Sequence, residues 1–221
     1  MINNKYKAVI FDFDYTLGSS EKGIVLSVNH GLLSLGYPEA DENRIYNTIG
    51  LSLADTFKDL TGVCDPVQAS KFAALFKEKA DKVMVENTEL YHDCLEVISA
   101  LRKEGCLVGI VTTKFHYRID QILSKYNAAD MVDVIVGGED VKAEKPDPQG
   151  LIYAIKTLGV SDAETLYVGD SLTDSMTALN AGVDFAAVLT GKTLRKSFEN
   201  KAHVCIADNL TGIYNFLFSK L

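Results

Sequence analysis

Short runs of apolar residues recur along the chain and have the length of buried β-strands. They occupy residues 8–13, 107–112, 132–136, 166–168 and 185–189. Because these runs are almost continuously apolar and do not alternate, they are typical of parallel strands that are covered on both faces. Between them, apolar residues at helical spacing predict helices that end at Gly105 and Gly159. The alternation predicts an α/β fold, a doubly wound parallel sheet with right-handed connections.

The alternation of strands and helices is interrupted once, between residues 18 and 88. No strand pattern occurs there, and amphipathic helical segments replace it, including one over residues 72–83. The first of these segments has apolar residues at Ile24, Val28, Leu32 and Leu35. We therefore expect a helical cap over 18–88, inserted into a discontinuous core domain formed by 1–17 and 89–221. Since ligands of open α/β sheets bind at the carboxyl ends of the strands, a module inserted after the first strand is expected over the site.

The composition narrows the class of protein further. With 221 residues, of which 47% are hydrophobic and 24% charged, the chain is typical of a globular protein that buries a sizeable core. The formal net charge of −8 disfavours nucleic acid as a partner, because a negative surface repels a phosphate backbone. The sequence shows no apolar run of membrane-spanning length and no signal-peptide pattern, so we expect no membrane partner and a cytoplasmic location.

The cysteines and histidines show no metal-binding pattern. Neither residue type has the spacing of a zinc site, so zinc is not expected. The cysteines also lack CxxC pairing, which predicts free buried thiols. These residues are Cys64, Cys94, Cys106 and Cys205.

Two carboxylates follow the first predicted strand. Asp12 and Asp14 are separated by one residue, so their side chains would share a face if the strand stayed regular. Two acids so close repel one another, and burying either without a partner is costly. Taken alone, such a pair also fits a turn or a helix cap at the end of a strand.

Polar residues follow the later strands as well. Thr112 and Thr113 end the second strand, Lys145 precedes Pro146 after the third, and a further strand leads into Asp170 and Asp174. Each of these alone has an ordinary explanation, such as a helix cap, a solvated lysine or an acid in the first turn of a helix. Because the carboxyl ends of parallel strands meet at one edge of a sheet, the residues together predict a single site.

The charges of the predicted site require a cation. Four carboxylates against the one ammonium of Lys145 leave about three negative charges uncompensated. A phosphate dianion would be repelled by about 4 kcal/mol per close pair, for charges about 4 Å apart at an effective dielectric of about 20. Oxygen ligands and a phosphate partner favour Mg²⁺.

This ordered set of motifs resembles the haloacid dehalogenase (HAD) superfamily, and specifically its phosphatase branch with a helical cap, of the phosphoglycolate phosphatase type. The resemblance covers essentially the whole chain. In the order of the family's four motifs, the matching residues are Asp12, Asp14 and Thr16, then Thr112, then Lys145, and then Gly169, Asp170, Ser171 and Asp174. The resemblance implies a Rossmann-like core with an inserted all-helical cap, and the activity of a Mg²⁺-dependent phosphatase.

The resemblance implies catalytic roles for three residues. Asp12 would be the nucleophile that takes the phosphoryl group. Asp14 would be the general acid for the leaving alcohol and then the general base for water, and it separates a phosphatase from a dehalogenase, whose halide needs no proton to leave. Lys145 would neutralise charge on the nucleophile and the phosphate. The substrate would be a small-molecule phosphate ester, for example phosphoglycolate or a sugar or nucleotide phosphate.

The resemblance also implies the ligands of the phosphate and of the metal. Thr112 and the backbone near Thr113 would hold phosphate oxygens, and Thr16 belongs to the same substrate-binding set. The residues implied for the Mg²⁺ site are Asp12, Asp14, Asp170 and Asp174. Asp14 would use its carbonyl oxygen, and Asp174 would act through water.

The chain departs from the family's pattern beside these motifs. Tyr15 stands where the family usually has glycine, and Ser19 where an acidic residue is common, which leaves room for a divergent substrate.

Phosphosugar mutases of this branch usually have a histidine where this chain has Ile24, and an arginine in the cap loop, where residues 50–53 offer none. A mutase is therefore less expected. Residues 50–53 match the substrate-facing cap loop, although an ordinary connection between helices would have the same pattern.

Alternatives to a monoester phosphatase stay open. A pyrophosphatase or a phosphosugar mutase would use the same site, whereas a non-catalytic phosphate-sensing protein would use only the fold. A sensor is expected to have lost catalytic residues such as Asp12 or Lys145, and neither is lost. The sequence does not name the substrate, and it fits a monomer as well as a homodimer.

Overall fold

A parallel sheet is the centre of the fold. The computed structural model describes residues 5–218. In chain order its strands are β1 (Ala8–Phe11), β2 (Gly18–Ser19), β3 (Glu89–Leu90), β4 (Leu107–Val111), β5 (Val134–Val136), β6 (Thr165–Gly169), β7 (Asp184–Val188) and β8 (Cys205–Ala207). Six of them form the sheet in the order β5-β4-β1-β6-β7-β8, with parallel pairing throughout. The predicted α/β fold with a parallel sheet is thus confirmed.

The first strand ends earlier than its apolar run predicts. β1 stops at Phe11, whereas the run of apolar residues extends to Phe13. The carbonyl oxygen of Phe13 accepts hydrogen bonds from the N–H groups of Thr16, Leu17 and Gly18, which closes a turn. The prediction also missed β8, whose three residues are too short a run to stand out.

Helices surround the sheet and also make up the insertion. They are α1 (Glu21–Ser34), α2 (Glu42–Tyr46), α3 (Leu53–Thr61), α4 (Pro66–Val83), α5 (Cys94–Lys103), α6 (His116–Lys125), α7 (Gln149–Leu158), α8 (Leu172–Ala181), α9 (Arg195–Glu199) and α10 (Leu210–Phe218). Helix α7 packs on β4 and β5, and α8 packs on β6 and β7. Between sheet and helices lies an apolar core in which the ring of Phe185 lies 6.5 Å from that of Tyr167 and 6.0 Å from that of Phe198.

The segment Ser19–Glu89 is a compact unit of its own. Helices α1 to α4 pack around a separate apolar core, in which the rings of Phe57 and Phe72 lie 5.3 Å apart and are fully buried. The other unit comprises the described parts of Met1–Gly18 and Leu90–Leu221. The two short strands β2 and β3 pair with each other, although no strand was predicted in this part of the chain. The domain bounds at 17/18 and 88/89 stay a prediction.

The environments of the cysteines correct one prediction. All four are free, as predicted, but only Cys94 and Cys106 are buried. Cys64 is exposed, and Cys205 is half-buried. Within residues 5–218, no helix combines the length and the apolarity that a membrane span requires.

Candidate active site

The predicted site residues follow neighbouring strands of the sheet. β1 lies between β4 and β6, with Phe11 in register with Ile110 on one side and Val168 on the other. Asp12 leaves β1 and still donates its backbone N–H to the carbonyl oxygen of Val168, at 2.9 Å. Thr112 follows β4 and Asp170 follows β6, so parallel pairing brings these residues to one edge of the sheet.

Lys145 joins two of the carboxylates. Its Nζ lies 2.8 Å from Asp12 Oδ1 and 2.7 Å from Asp174 Oδ1, and all three side chains are almost completely buried. The hydroxyl of Tyr167, inside β6, donates a hydrogen bond to Asp174 Oδ1 at 3.1 Å. The ammonium group therefore bridges the residue after β1 and the residue in the first turn of α8.

The carboxylates of Asp12, Asp170 and Asp174 form a cluster. Each offers an oxygen that lies within 4.8 Å of the others, and all three residues are buried. Ser171 begins α8 as its N-cap, and both its N–H and its hydroxyl donate to Asp174 Oδ2. Since Oδ1 already contacts Lys145, both oxygens of Asp174 have partners within the protein.

Backbone packs directly against Asp170. A Cβ atom at Gly191 would lie 1.8 Å from Asp170 Oδ2, so no other residue fits at position 191 without displacing this carboxylate. The neighbouring Thr190 donates its hydroxyl to the carbonyl oxygen of Tyr15 in the turn after β1. The loop after β7 thus supports the turn after β1 and the carboxylate after β6.

Burial dominates the electrostatics of this cluster. Desolvation raises the pKa of Asp12 to about 7; Lys145 opposes the rise, and Asp174 adds to it. Burial, followed by the carboxylates of Asp174 and Asp12, also holds the pKa of Asp170 well above its usual range. Burial works against the charge of Lys145, but Asp12 and Asp174 outweigh it and raise the pKa of that ammonium.

Asp14 lies apart from the acidic cluster. The chain turns after Phe13, and Tyr15 takes a positive φ of 62°, so the regular strand that would place Asp12 and Asp14 on one face is absent. Asp14 Oδ2 instead lies 3.0 Å from Nζ of Lys114. Lys114 was not among the predicted site residues, although its place directly after Thr113 at the end of β4 was an available signal.

The three predicted threonines occupy different environments. Thr112 is buried, and its hydroxyl oxygen accepts a hydrogen bond from the backbone N–H of Lys114 at 3.2 Å. Thr113 is partly exposed. Thr16 is fully buried, and among residues 5–218 its hydroxyl has no hydrogen-bond partner.

The donor set fits a hard divalent cation. The clustered ligand atoms are all carboxylate oxygens, the kind that Mg²⁺ and Ca²⁺ prefer. With every group ionised and Lys114 included, four carboxylates face two ammonium groups, which leaves about two negative charges, one fewer than without Lys114. A buried site with this charge can hold a cation and, with it, an anionic ligand.

Comparisons with known proteins agree with these features. The profile of the family described as haloacid dehalogenase-like hydrolase matches residues 9–188. The chain is 31% identical to a pyrophosphatase, PpaX, of Bacillus velezensis, over 85% of either chain. It is 26% identical to phosphoglycolate phosphatase 1 of Pseudomonas aeruginosa, over 94% of this chain and 78% of that one. A crystal structure of a haloacid dehalogenase-like hydrolase from Bacteroides fragilis is 39% identical and superposes with a TM-score of 0.92, covering 95% of this chain and all of that one.

Proposed function

Because the chain belongs to the haloacid dehalogenase-like hydrolases and is a phosphatase of that family, we propose that it hydrolyses a small-molecule phosphate monoester through an aspartyl-phosphate on Asp12. One observation carries the proposal. Asp12 is a buried carboxylate, it lies 2.8 Å from the ammonium of Lys145, and it shares the cluster with two further carboxylates. This arrangement supplies a nucleophile together with charge stabilisation, on which phosphoryl transfer chiefly depends.

The proposed reaction has two steps. In the first, a carboxylate oxygen of Asp12 attacks phosphorus, the bond to the leaving oxygen breaks, and Asp14 gives that oxygen its proton. In the second, Asp14 takes a proton from water, the hydroxyl attacks phosphorus, and the bond to Asp12 breaks to release inorganic phosphate. Lys145 compensates negative charge beside the nucleophile in both steps. Thr112, the backbone at Thr113 and the buried hydroxyl of Thr16 are proposed to bind phosphate oxygens.

We also propose that the cation of this site is Mg²⁺. Asp12 and Asp170 would bind it through carboxylates and Asp14 through its carbonyl oxygen, while Asp174, held by Lys145 and Ser171, would support it indirectly. When bound, Mg²⁺ supplies the positive charge that allows a phosphate dianion to approach the nucleophile. The backbone at position 191 packs closely against the carboxylate of Asp170.

A pyrophosphatase is the second candidate, and one comparison favours it. The relative from Bacillus velezensis that matches 85% of this chain is named a pyrophosphatase. Pyrophosphate would use the same nucleophile and differ only in its leaving group, which is phosphate and not an alcohol. A phosphosugar mutase and a non-catalytic sensor have no such support.

The direct test is a panel of phosphorylated compounds assayed for phosphate release. The panel contains phosphoglycolate, sugar phosphates, nucleoside monophosphates and pyrophosphate, each in the presence of Mg²⁺. We expect the highest kcat/KM for one of the monoesters, and release from p-nitrophenyl phosphate as well. A preference for pyrophosphate would select the second candidate, and no release from any compound would refute both.

The insertion is proposed to select the substrate through residues 50–53. Within this loop the two candidate side chains differ. Ser52 is the N-cap of α3: it accepts a hydrogen bond from the N–H of Asp55 at 3.1 Å, and its hydroxyl donates to the carboxylate of Asp55 at 2.7 Å. Replacing Ser52 would therefore weaken the helix. Leu51 is 38% exposed and caps no helix, so it is the better position to test.

Leu51→Ala is expected to change the relative kcat/KM values of the panel substrates by about tenfold, because truncating an apolar contact is worth about that factor in discrimination. Hydrolysis of p-nitrophenyl phosphate should change much less. Leu33→Ala is the matched control, since Leu33 is an exposed leucine of the same unit. Equal losses on all substrates in folded Leu51→Ala protein would contradict a role in selection.

A further inference from the structure

A second buried lysine lies in the site, and the reaction described above leaves it without a role. The side chain of Lys114 is only 4% exposed, and its Nζ lies 3.0 Å from Asp14 Oδ2. Burying an ammonium group is costly unless an opposite charge compensates it, and lysines are almost never fully buried without a partner. The pairing with Asp14 therefore explains why Lys114 can be buried.

The backbone of Lys114 is fixed by two neighbouring strand ends. Its N–H donates to the hydroxyl oxygen of Thr112 at 3.2 Å, and its carbonyl oxygen accepts from the N–H of Gly138 at 3.1 Å. A Cβ atom at Gly138 would lie 2.7 Å from the carbonyl oxygen of Thr113, so this close approach requires glycine. The loops after β4 and β5 thus place Lys114 before any substrate binds.

The two buried lysines form ion pairs with different carboxylates. Lys145 contacts Asp12 and Asp174, whereas Lys114 contacts Asp14. Only one oxygen of Asp14 is engaged: among residues 5–218, the buried Oδ1 has no hydrogen-bond partner. Lys114 therefore fixes the carboxyl group and leaves one of its oxygens available.

We propose that Lys114 is a positioning residue, which holds Asp14 so that Oδ1 can exchange a proton with the leaving alcohol and then with water. The inference rests on the proposed function, because that function makes Asp14 the general acid and base. A general acid matters most for a poor leaving group, since a stable anion leaves without a proton. The loss of Lys114 should therefore alter how the rate depends on the leaving group.

The experiment compares Lys114→Met with the wild type on p-nitrophenyl phosphate, phenyl phosphate and phosphoglycolate. We expect kcat/KM to fall about 100-fold for phenyl phosphate and phosphoglycolate but less than about tenfold for p-nitrophenyl phosphate, as for the loss of an aligned general acid, because kcat/KM reports only the steps up to release of the leaving group. The value of kcat, which also contains hydrolysis of the aspartyl-phosphate, should fall on all three esters, because Asp14 acts in that common step as well. Asp14→Asn should show the same pattern.

Three further variants make the result specific. Lys114→Arg keeps the charge and should restore part of the rate on the poor leaving groups. Lys114→Gln is assayed in parallel with Lys114→Met, so that the result does not depend on the folding of one protein. Lys156→Met removes an exposed lysine of α7 and should leave all three rates unchanged.

The possible outcomes separate this inference from the proposed function. An active wild type whose Lys114→Met variant loses the same factor in kcat/KM on every ester would overturn the positioning role alone. If neither Lys114→Met nor Lys114→Gln folds, Lys114 has a structural role and the inference is overturned. A wild type that releases phosphate from none of the three esters would overturn the proposed function, and this role with it.

Discussion

Replacing Asp12 with asparagine is expected to abolish phosphate release from p-nitrophenyl phosphate. The amide has nearly the shape of the carboxylate but is a far poorer nucleophile, so kcat should fall by at least about a thousandfold. The fold should survive, because Lys145 keeps its contact with Asp174 at 2.7 Å. Asp12→Asn and wild type are compared by phosphate release, with circular dichroism and thermal melting to verify folding.

A second measurement tests the covalent intermediate itself. Acid-quenched wild-type protein should carry the added mass of one phosphoryl group on the peptide that contains Asp12, and Asp12→Asn should not. Asp162→Asn is the control, since it removes an exposed carboxylate that lies in the turn before β6. Folded Asp12→Asn protein that keeps more than about a tenth of the wild-type rate would show that Asp12 is not the nucleophile.

The sheet was predictable because of where its strands lie. A strand covered on both faces must be apolar along its length, as Ala8–Phe11 and Thr165–Gly169 mostly are, so the sequence itself marks it. The carboxyl ends of parallel strands then meet at one edge. This is why Asp12, Thr112 and Asp170 could be grouped into one site before their distances were known.

The details of the site were less predictable, because they depend on how far side chains reach and on short-range turns. Apart from its place at the end of a predicted strand, nothing in the local sequence distinguishes Lys114, which pairs with Asp14, from an exposed lysine. Gly191 is a similar case, because it lies in the loop after β7 and packs closely against Asp170, which follows β6. Such contacts are set by the tertiary structure alone.

The turn after β1 had a further consequence that the sequence pattern did not show. Because the carbonyl oxygen of Phe13 accepts three backbone N–H groups, the chain leaves the strand before Asp14. Asp12 and Asp14 therefore have different cationic partners and do not compete for Lys145. Separate partners allow one acid to act as nucleophile and the other in proton transfer.

Removal of divalent cations is expected to stop catalysis. In protein treated with a chelator, the rate on p-nitrophenyl phosphate should fall at least about 100-fold, because no cation then lies between the phosphate dianion and the ionised form of Asp12 that attacks it, and two such charges about 4 Å apart repel by about 4 kcal/mol at an effective dielectric of about 20. Mg²⁺ should restore the rate. Ca²⁺ should restore little of it, since its longer and more numerous bonds misplace the nucleophile. An undiminished rate without divalent ions would contradict the proposal.

Thermal melting tests the same metal site without any substrate. Mg²⁺ at about 100 times its Kd should stabilise the wild type by about 2.7 kcal/mol, and Asp170→Asn should lose this shift because it lacks a proposed ligand. The same variant should melt no lower than the wild type when a chelator is present, because it removes one of the buried like charges. Asp162→Asn should keep the full Mg²⁺ shift.

An Mg²⁺ shift that persists in Asp170→Asn would assign the ion to other residues, whereas a lower melting point in chelator would mean that Asp170 stabilises the fold itself.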